Sequence, residues 1–113
     1  MHELTLGQSI IDLVVDCARR ERLHSVTRVV LQVGAGAGVE VSALRFCFDA
    51  LAEQTIVAGA ELAIMPVALR ARCRQCGCEF EAASLIARCP DCGSPERTLL
   101  AGRELQVKSI EGE

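Results

Sequence analysis

The segment Val26-Thr-Arg-Val-Val-Leu-Gln-Val33 is rich in β-branched residues. Such residues favour extended backbone, and their nearly continuous apolar character predicts a largely buried strand. Gly34-Ala-Gly-Ala-Gly38 interrupts the strand directly afterwards. No Lys-Ser or Lys-Thr follows these glycines, and their spacing fits neither the nucleotide-binding nor the dinucleotide-binding signature. We therefore expect a flexible turn that leads from the strand into a helix.

Amphipathic helices are predicted on both sides of this strand. In the first, apolar residues recur at three- and four-residue steps: Leu6, Ile10, Leu13, Val14 and Cys17. Thr5 with Gln8 resembles a capping box, so this helix should begin at about Thr5, or alternatively nearer His2. The second helix has the same periodicity at Val41, Leu44, Cys47, Phe48 and Leu51. With Ser42 near its start, it should run from about Ser42 to Gln54.

Two further strands complete the predicted sheet. Ala60-Glu-Leu-Ala-Ile-Met65 is predicted to form one strand. Because Pro66 has no amide donor, the end of this strand should lie at the edge of the sheet or where the chain leaves the sheet. The other is Glu104–Lys108, which alternates apolar with polar residues. This order predicts an α+β fold: a three-stranded sheet with two helices on one face, plus an inserted four-cysteine module that resembles a zinc ribbon. Residues 1–67 and 100–113 should form the α+β domain, and residues 68–99 the zinc-binding module.

Composition excludes several classes of function. The formal net charge is -3 and the chain has a single lysine, Lys108. Since phosphate binding normally shows as a clustered basic surface, we do not expect nucleic acid as a partner. No apolar run approaches the roughly 20 residues that span a bilayer. Met1-His2-Glu3 has an acidic residue where a signal peptide would carry positive charge, so we expect a cytoplasmic protein that does not bind membranes.

Cys73-Arg-Gln-Cys76-Gly77 and Cys89-Pro-Asp-Cys92-Gly93 are two copies of one metal-binding turn, or knuckle. Two residues between the cysteines let both thiolates face one ion, and the glycine permits the left-handed backbone of a tight turn. Four thiolates suit zinc or iron, and zinc is the usual ion of a closed structural site. The predicted zinc ligands are Cys73, Cys76, Cys89 and Cys92, with a role in folding.

Catalysis is not expected at this cysteine cluster. A closed four-coordinate site leaves no open position for a substrate. A thioredoxin-like redox pair normally occurs singly after a strand in a βαβ unit, not doubled within a short insertion. No catalytic constellation of serine, cysteine or carboxylate residues with a histidine base is present in the sequence. The chain is therefore predicted not to be an enzyme. Cys17 and Cys47 lie on apolar helical faces and are interpreted as small buried hydrophobic residues.

The amino terminus offers a second type of metal site. The α-amine of Met1, the backbone amide nitrogen of His2 and the His2 imidazole can chelate one ion in adjacent rings. Nitrogen-rich tetragonal donor sets of this kind suit Ni(II) or Cu(II). A histidine at position two is also common in frayed termini, so its position alone does not decide between the two interpretations.

The whole chain resembles the HypA/HybF family of hydrogenase nickel-incorporation proteins. The resemblance rests on Met1-His2-Glu3-Leu4, the segment Val29–Gly34, Val39-Glu40, Ala43-Leu-Arg-Phe-Cys-Phe48 and the two Cys-x-x-Cys pairs in that order. It implies a nickel metallochaperone that binds Ni(II) through a site centred on His2 with Glu3 beside it, and structural zinc through the four knuckle cysteines. The nickel is cargo. The α+β domain, 1–67 with 100–113, would be the nickel-binding domain.

The same resemblance implies partners. These are a GTPase accessory protein and the large subunit of [NiFe]-hydrogenase, with urease as a further enzyme served in some organisms, and the chain would act as a monomer or weak homodimer. It also places Glu40 near the nickel. Cys78 is interpreted either as an inert thiol or as a spare zinc ligand. His24 is interpreted either as a solvated loop residue or as a residue that helps nickel transfer. The alternative function is a zinc-ribbon adaptor that recruits proteins or nucleic acid without nickel transfer.

Overall fold

The computed structural model describes residues 3–113, so Met1 and His2 lie outside the described residues. It contains two helices and two three-stranded sheets, and the α+β class predicted from the sequence is confirmed. The helices are α1 (Glu3–Arg20) and α2 (Val41–Ala52). The strands are β1 (Val26–Gly34), β2 (Glu61–Val67), β3 (Arg70–Cys73), β4 (Glu79–Glu81), β5 (Arg97–Ala101) and β6 (Leu105–Gly112). The strand orders are β2-β1-β6 and β4-β3-β5.

The chain divides into two compact units. Among the described residues, the first, the helical unit, comprises residues 3–31, 38–65 and 106–113, and the second, the cysteine unit, comprises residues 32–37 and 66–105. The cysteine unit thus takes in Gly34 and Gly36 in addition to the predicted module. Compactness does not measure independent folding, so the predicted domains, 1–67 with 100–113 and 68–99, stay a prediction.

Helix α1 begins earlier than the capping box suggested. Its first described residue is Glu3, and the Thr5 carbonyl accepts a hydrogen bond from the Ser9 hydroxyl at 3.1 Å within the helix. The Gln8 side chain donates to Asp12 at 2.8 Å instead of reaching back to a cap. The buried face also differs from the predicted one, since Leu13 is 47% exposed. The face consists of Gly7, Ile10, Ile11, Val14 and Ala18.

Helix α2 begins at Val41, close to the predicted start, and is capped by Glu40. The Glu40 backbone is extended (φ -87°, ψ 107°), and its carboxylate accepts from the amides of Ser42 and Ala43. Serine, threonine, aspartate and asparagine are the preferred caps, so a glutamate cap is not evident from the sequence. The helix ends at Ala52, two residues before the predicted end, and Gln54 adopts the left-handed conformation (φ 65°) that commonly terminates helices.

The β2-β1-β6 sheet agrees with the three predicted strands. From Val29 onward, buried residues of β1 alternate with partly exposed ones, as in a sheet that is covered on one face: Val29, Leu31 and Val33 are buried. Val26, at the start of the strand, is buried as well. On its more exposed side, Arg28 forms ion pairs with Glu61 of β2 at 2.9 Å and Glu111 of β6 at 3.6 Å. Strand β2 continues through Pro66 because it lies at the edge of the sheet, where a missing amide donor costs little.

The glycines at the end of β1 and directly after it lie in close contact with a second backbone segment. The Gly36 amide donates to the Gly102 carbonyl at 2.7 Å, and the Ala35 amide donates to Val67 at 2.8 Å. A Cβ atom at Gly34 would overlap the backbone carbonyl of Gly102, and one at Gly36 would lie 2.9 Å from the Leu69 side chain. Glycine is therefore required at position 34, where two backbone segments approach closely.

The cysteine unit contains strands that the sequence did not reveal. Strand β3 pairs antiparallel with both β4 and β5, with Ala71 opposite Phe80 and Leu99. These strands are too short to show a clear apolar periodicity in the sequence. Much of their stability comes from pairing with strands that are distant in the chain. The small core of this unit includes Phe80, whereas Ile86 is 82% exposed. Its members are Leu69, Ala71, Cys73, Phe80, Ala82 and Cys89.

Candidate metal centres

The four predicted zinc ligands lie together in the cysteine unit. Cys73 ends β3, Cys76 follows it in a turn, and the second pair lies in the turn before β5. All four Sγ atoms lie within 4.8 Å of one another. The Sγ atoms of Cys73 and Cys92 are 3.5 Å apart, and those of Cys76 and Cys89 are 3.6 Å apart. Among residues 3–113, no other group of three or more histidine, cysteine or carboxylate side chains meets this condition.

The two knuckles have matching backbone hydrogen bonds. Gly77 donates to the Cys73 carbonyl at 3.0 Å, and Gly93 donates to the Cys89 carbonyl at 2.9 Å. Both glycines have positive φ, 79° and 76°, which residues with a Cβ rarely adopt. A Cβ at either position would meet open space, so backbone conformation alone requires glycine.

Backbone amides also point at the first sulfur of each knuckle. The Sγ of Cys73 accepts from the amides of Gln75 at 3.4 Å and Cys76 at 3.5 Å. The Sγ of Cys89 accepts from Asp91 and Cys92 at the same two distances. The pKa of Cys73 is lowered to about 6, chiefly by the bond from the Cys76 amide, and the pKa of Cys89 is lowered, chiefly by the bond from the Cys92 amide. These amides stabilise thiolates, which are the form that binds metal.

The donor set fits a tetrahedral zinc ion. A zinc–sulfur bond of about 2.3 Å places the sulfurs of a tetrahedral site about 3.8 Å apart. The two closest sulfur–sulfur separations, 3.5 and 3.6 Å, are near this value. Cys73 and Cys89 are buried, while Cys76 and Cys92 are exposed, so the cluster opens toward solvent on one side. The four cysteines can therefore take up one ion with little rearrangement.

Three cysteines lie outside this cluster. Cys17 and Cys47, predicted to be buried, are each partly exposed on their helices. Cys78 is the one next to the cluster: its thiol donates to the carbonyl of Glu79 at 3.7 Å, and its side chain packs against the small core of the unit. Desolvation by burial raises the pKa of the Cys78 thiol, which disfavours the thiolate. The inert-thiol interpretation of Cys78 is thus the better supported of the two.

The amino-terminal candidate is only partly described. His2 lies outside the described residues, whereas Glu3 is the first residue of α1. The Oε2 atom of Glu3 accepts a hydrogen bond from the backbone amide of Glu40 at 3.3 Å. The structure therefore brings Glu3 to the start of α2, although 37 positions separate the two residues. No sequence periodicity indicates this contact.

Glu40 directs its own carboxylate into α2. It accepts from the Ser42 hydroxyl at 2.7 and 3.0 Å, from the Ser42 amide at 3.3 Å and from the Ala43 amide at 2.7 Å. The Ser42 hydroxyl and, next, the Ala43 amide lower the pKa of Glu40 below its ordinary value of 4.5. His24 is exposed between α1 and β1, and its backbone amide donates to Glu113 at 2.5 Å.

Comparison with known proteins decides the family. A family model described as "Hydrogenase/urease nickel incorporation, metallochaperone, hypA" matches residues 1–112. The chain belongs to the HypA family. Within residues 3–113, neither helix combines the length and apolar character that crossing a membrane requires.

Members of the HypA family from several bacteria are similar over nearly the whole chain. A protein named "Hydrogenase maturation factor HypA" from Chlorobium phaeobacteroides is 46% identical over 110 residues, and its counterpart from Chlorobaculum tepidum is 45% identical. In both cases 97% of each chain is covered. The solution structure of the "Ni metallochaperone HypA from Helicobacter pylori" is 25% identical, with a TM-score of 0.70 over 99% of this chain and 97% of that one. A second HypA solution structure has a TM-score of 0.73 at 26% identity.

Proposed function

We propose that this chain is a nickel metallochaperone of hydrogenase maturation, with Ni(II) as transient cargo at the amino terminus and zinc as a resident structural ion. The observation that carries the proposal is the match of residues 1–112 to a family of nickel-incorporation metallochaperones. That match includes His2 and Glu3 as well as all four knuckle cysteines. The family is described as a metallochaperone, which agrees with the absence of catalysis expected from the sequence.

Zinc is proposed for Cys73, Cys76, Cys89 and Cys92. When bound, it would tie the two knuckles together and so stabilise a unit whose core contains one aromatic side chain, Phe80. Four sulfur donors complete a closed site, so the ion has no open position for a substrate. Positive-φ glycines and amide-to-sulfur hydrogen bonds orient the four sulfur donors toward one ion.

Nickel is proposed for the amino terminus. The α-amine of Met1 and the amide and imidazole nitrogens of His2 supply nitrogen donors of the kind that Ni(II) favours, with Glu3 beside them. Both the amine and the amide must lose protons to bind, so affinity falls as pH falls. A site built from nitrogen donors of one chain end, without thiolates, suits an ion that must later be released.

Delivery would proceed through partner proteins in the cytoplasm. We infer a GTPase accessory protein and the [NiFe]-hydrogenase large subunit as partners, with urease as a further recipient, and a chain that acts as a monomer or weak homodimer. Support comes from the names of the relatives, which are hydrogenase maturation factors, and from the family description, which includes urease.

Calorimetric titration of zinc-loaded protein with Ni(II) tests the amino-terminal site. His2→Ala should abolish the nickel-binding isotherm, because it removes the imidazole that closes the chelate. The matched control is His24→Ala, which removes the chain's other histidine and should leave nickel binding unchanged. Equal nickel binding by the parent protein and His2→Ala would contradict the proposal.

A further inference from the structure

One side of α2 exposes an aromatic side chain next to a groove. Phe46 is 77% exposed, although it is one of only three aromatic residues in the chain. The groove has a volume of about 520 Å³, and its lining comes from the last turns of α2 and from the start of β2, all within the helical unit. Aromatic side chains in such positions are typical anchors of protein interfaces.

Two carboxylates that line this groove have no partner. Its other charged residues are engaged: the Arg45 guanidinium donates to a backbone carbonyl of β2, and Glu61 forms an ion pair with Arg28. Within the described part of the chain, the side chains of Asp49 and Glu53 form no hydrogen bond or ion pair. The groove therefore keeps two carboxylates available for a ligand.

The positions of these two carboxylates are unfavourable for the helix itself. Asp49 lies in the last turn of α2, and Glu53 is its C-cap residue. The C-terminal end of a helix carries partial negative charge, which favours cations and disfavours carboxylates. Helix α1 follows this rule with Arg19 and Arg20 in its last turn, whereas the last turn of α2 has no basic residue. Charges that oppose local stability in this way indicate a role in binding a cation from outside.

Helical geometry places Phe46 on the same side of α2 as the two carboxylates. At about 100° per residue, Glu53 lies about 20° from Phe46 around the helix axis, and Asp49 about 60° from it. Arginine can combine both features, because its guanidinium stacks on an aromatic face and forms paired hydrogen bonds with a carboxylate. Lysine offers only a point charge. The chemistry of this surface therefore favours arginine.

We propose that the groove beside Phe46 is a docking surface for an arginine-bearing segment of another protein. The guanidinium stacks on Phe46 and pairs with Glu53 or Asp49 at the negative end of α2. A second copy of this chain is the less favoured occupant, because a symmetric contact would bring the same carboxylates of both copies together. The surface belongs to the helical unit and is independent of the proposed nickel and zinc sites.

A labelled peptide tests this surface on the zinc-loaded protein. The probe is a fluorescein-labelled nine-residue peptide with three arginines, two leucines and four serines. Its matched control carries citrulline, a neutral isostere, in place of each arginine. We expect fluorescence anisotropy to show saturable binding of the arginine peptide and binding of the citrulline peptide that is weaker by about tenfold or more. Equal binding of the two peptides, or no saturable binding of either, would overturn the proposal.

Substitutions in the groove show where the arginine peptide binds. Asp49→Asn combined with Glu53→Gln should weaken its binding by about tenfold or more, and Phe46→Ala by about threefold to tenfold. The matched control is Asp12→Asn combined with Glu21→Gln, which removes the same charge from exposed positions elsewhere and should leave affinity within about twofold of the parent value. An equal loss in this control would mean that only the net charge of the protein attracts the peptide, and the proposal would be wrong.

The stability and association state of the free protein complete the test. Neutralising Asp49 and Glu53 removes their repulsion from the helix end, so the midpoint of denaturant unfolding should stay the same or rise while peptide binding falls. A lower midpoint would assign these carboxylates to folding and reject the proposal. Sedimentation velocity should show no self-association that depends on Phe46. If self-association occurs and Phe46→Ala abolishes it, a second copy is the occupant instead.

Discussion

At the scale of single residues, hydrogen bonds to charged groups determine the character of both candidate centres. Amides converge on the sulfurs of Cys73 and Cys89, and a hydroxyl and two amides converge on Glu40. In each case backbone donors stabilise the anionic form of the side chain. The residue types are visible in the sequence, but the donors that tune them are set by backbone geometry.

Glu40→Gln should change how stability depends on pH. Because the folded pKa of Glu40 lies below 4.5, its carboxylate adds to the free energy of unfolding above that pH, and this contribution disappears as pH falls through the folded value. We therefore expect Glu40→Gln to be less stable than the parent at pH 7, with a difference that shrinks steadily below pH 4.5. Denaturant unfolding of nickel-free protein across this range measures the effect.

Ala50→Gly serves as the comparison in that experiment, since it changes helix propensity without changing charge. Its stability difference from the parent should stay constant over the same pH range. A Glu40→Gln difference that is equally constant would show that the charge of Glu40 contributes nothing to folding.

At the scale of elements, α2 contains two nearby phenylalanines that differ in burial. Phe46 and Phe48 are two positions apart, which places them on different sides of a helix of 3.6 residues per turn. Phe48 is fully buried, whereas Phe46 is 77% exposed. The apolar periodicity of the sequence included Phe48 and omitted Phe46, and the structure confirms this choice.

Alanine at these two positions should have very different effects. Phe48→Ala is expected to lower the free energy of unfolding by about 3–5 kcal/mol, because it leaves a cavity in the core of the helical unit. Phe46→Ala should change it by no more than about 0.5 kcal/mol, as is usual at exposed positions. Chemical denaturation followed by circular dichroism measures both. Comparable losses for the two variants would mean that Phe46 is covered in solution.

The turn after β1 provides a second test at this scale. Gly34→Ala should cost about 3 kcal/mol, because the added Cβ meets the rigid backbone of Gly102. Gly38→Ala should cost only about 1–2 kcal/mol, since Gly38 has a positive φ of 74° but open space around it. Thermal unfolding of the two variants should reproduce this order, and the reverse order would argue against the close contact.

At the scale of the whole molecule, two compact units differ in what holds them together. The helical unit buries many aliphatic side chains and Phe48, whereas the core of the cysteine unit has six buried members, two of which are themselves knuckle cysteines. Hydrophobic burial alone is a weak source of stability in so small a core. The cysteine unit should therefore depend on its metal far more than the helical unit does.

Removal of zinc with a chelator tests this dependence. Amides of β3, β4 and β5 should lose most of their protection against hydrogen exchange, while those of α1, α2 and the Val26–Leu31 part of β1 keep theirs. Cys76→Ser should have the same effect and lower the bound zinc, whereas Cys78→Ser, two positions away, should retain a full equivalent. Uniform loss of protection across the chain would reject residues 68–99 as a separately folding module.

The sequence by itself determined the features that depend on local chemistry and spacing. Cysteines separated by two residues, present as two pairs, are typical of zinc sites. Apolar periodicity identified α1, α2 and three strands, because the buried face of a helix or strand repeats with the period of that element. Tertiary structure decided the rest. The Glu40 cap, the contact of Glu3 with α2, the strands of the cysteine unit and the need for Gly34 all depend on partners distant in sequence, and no local pattern encodes such partners.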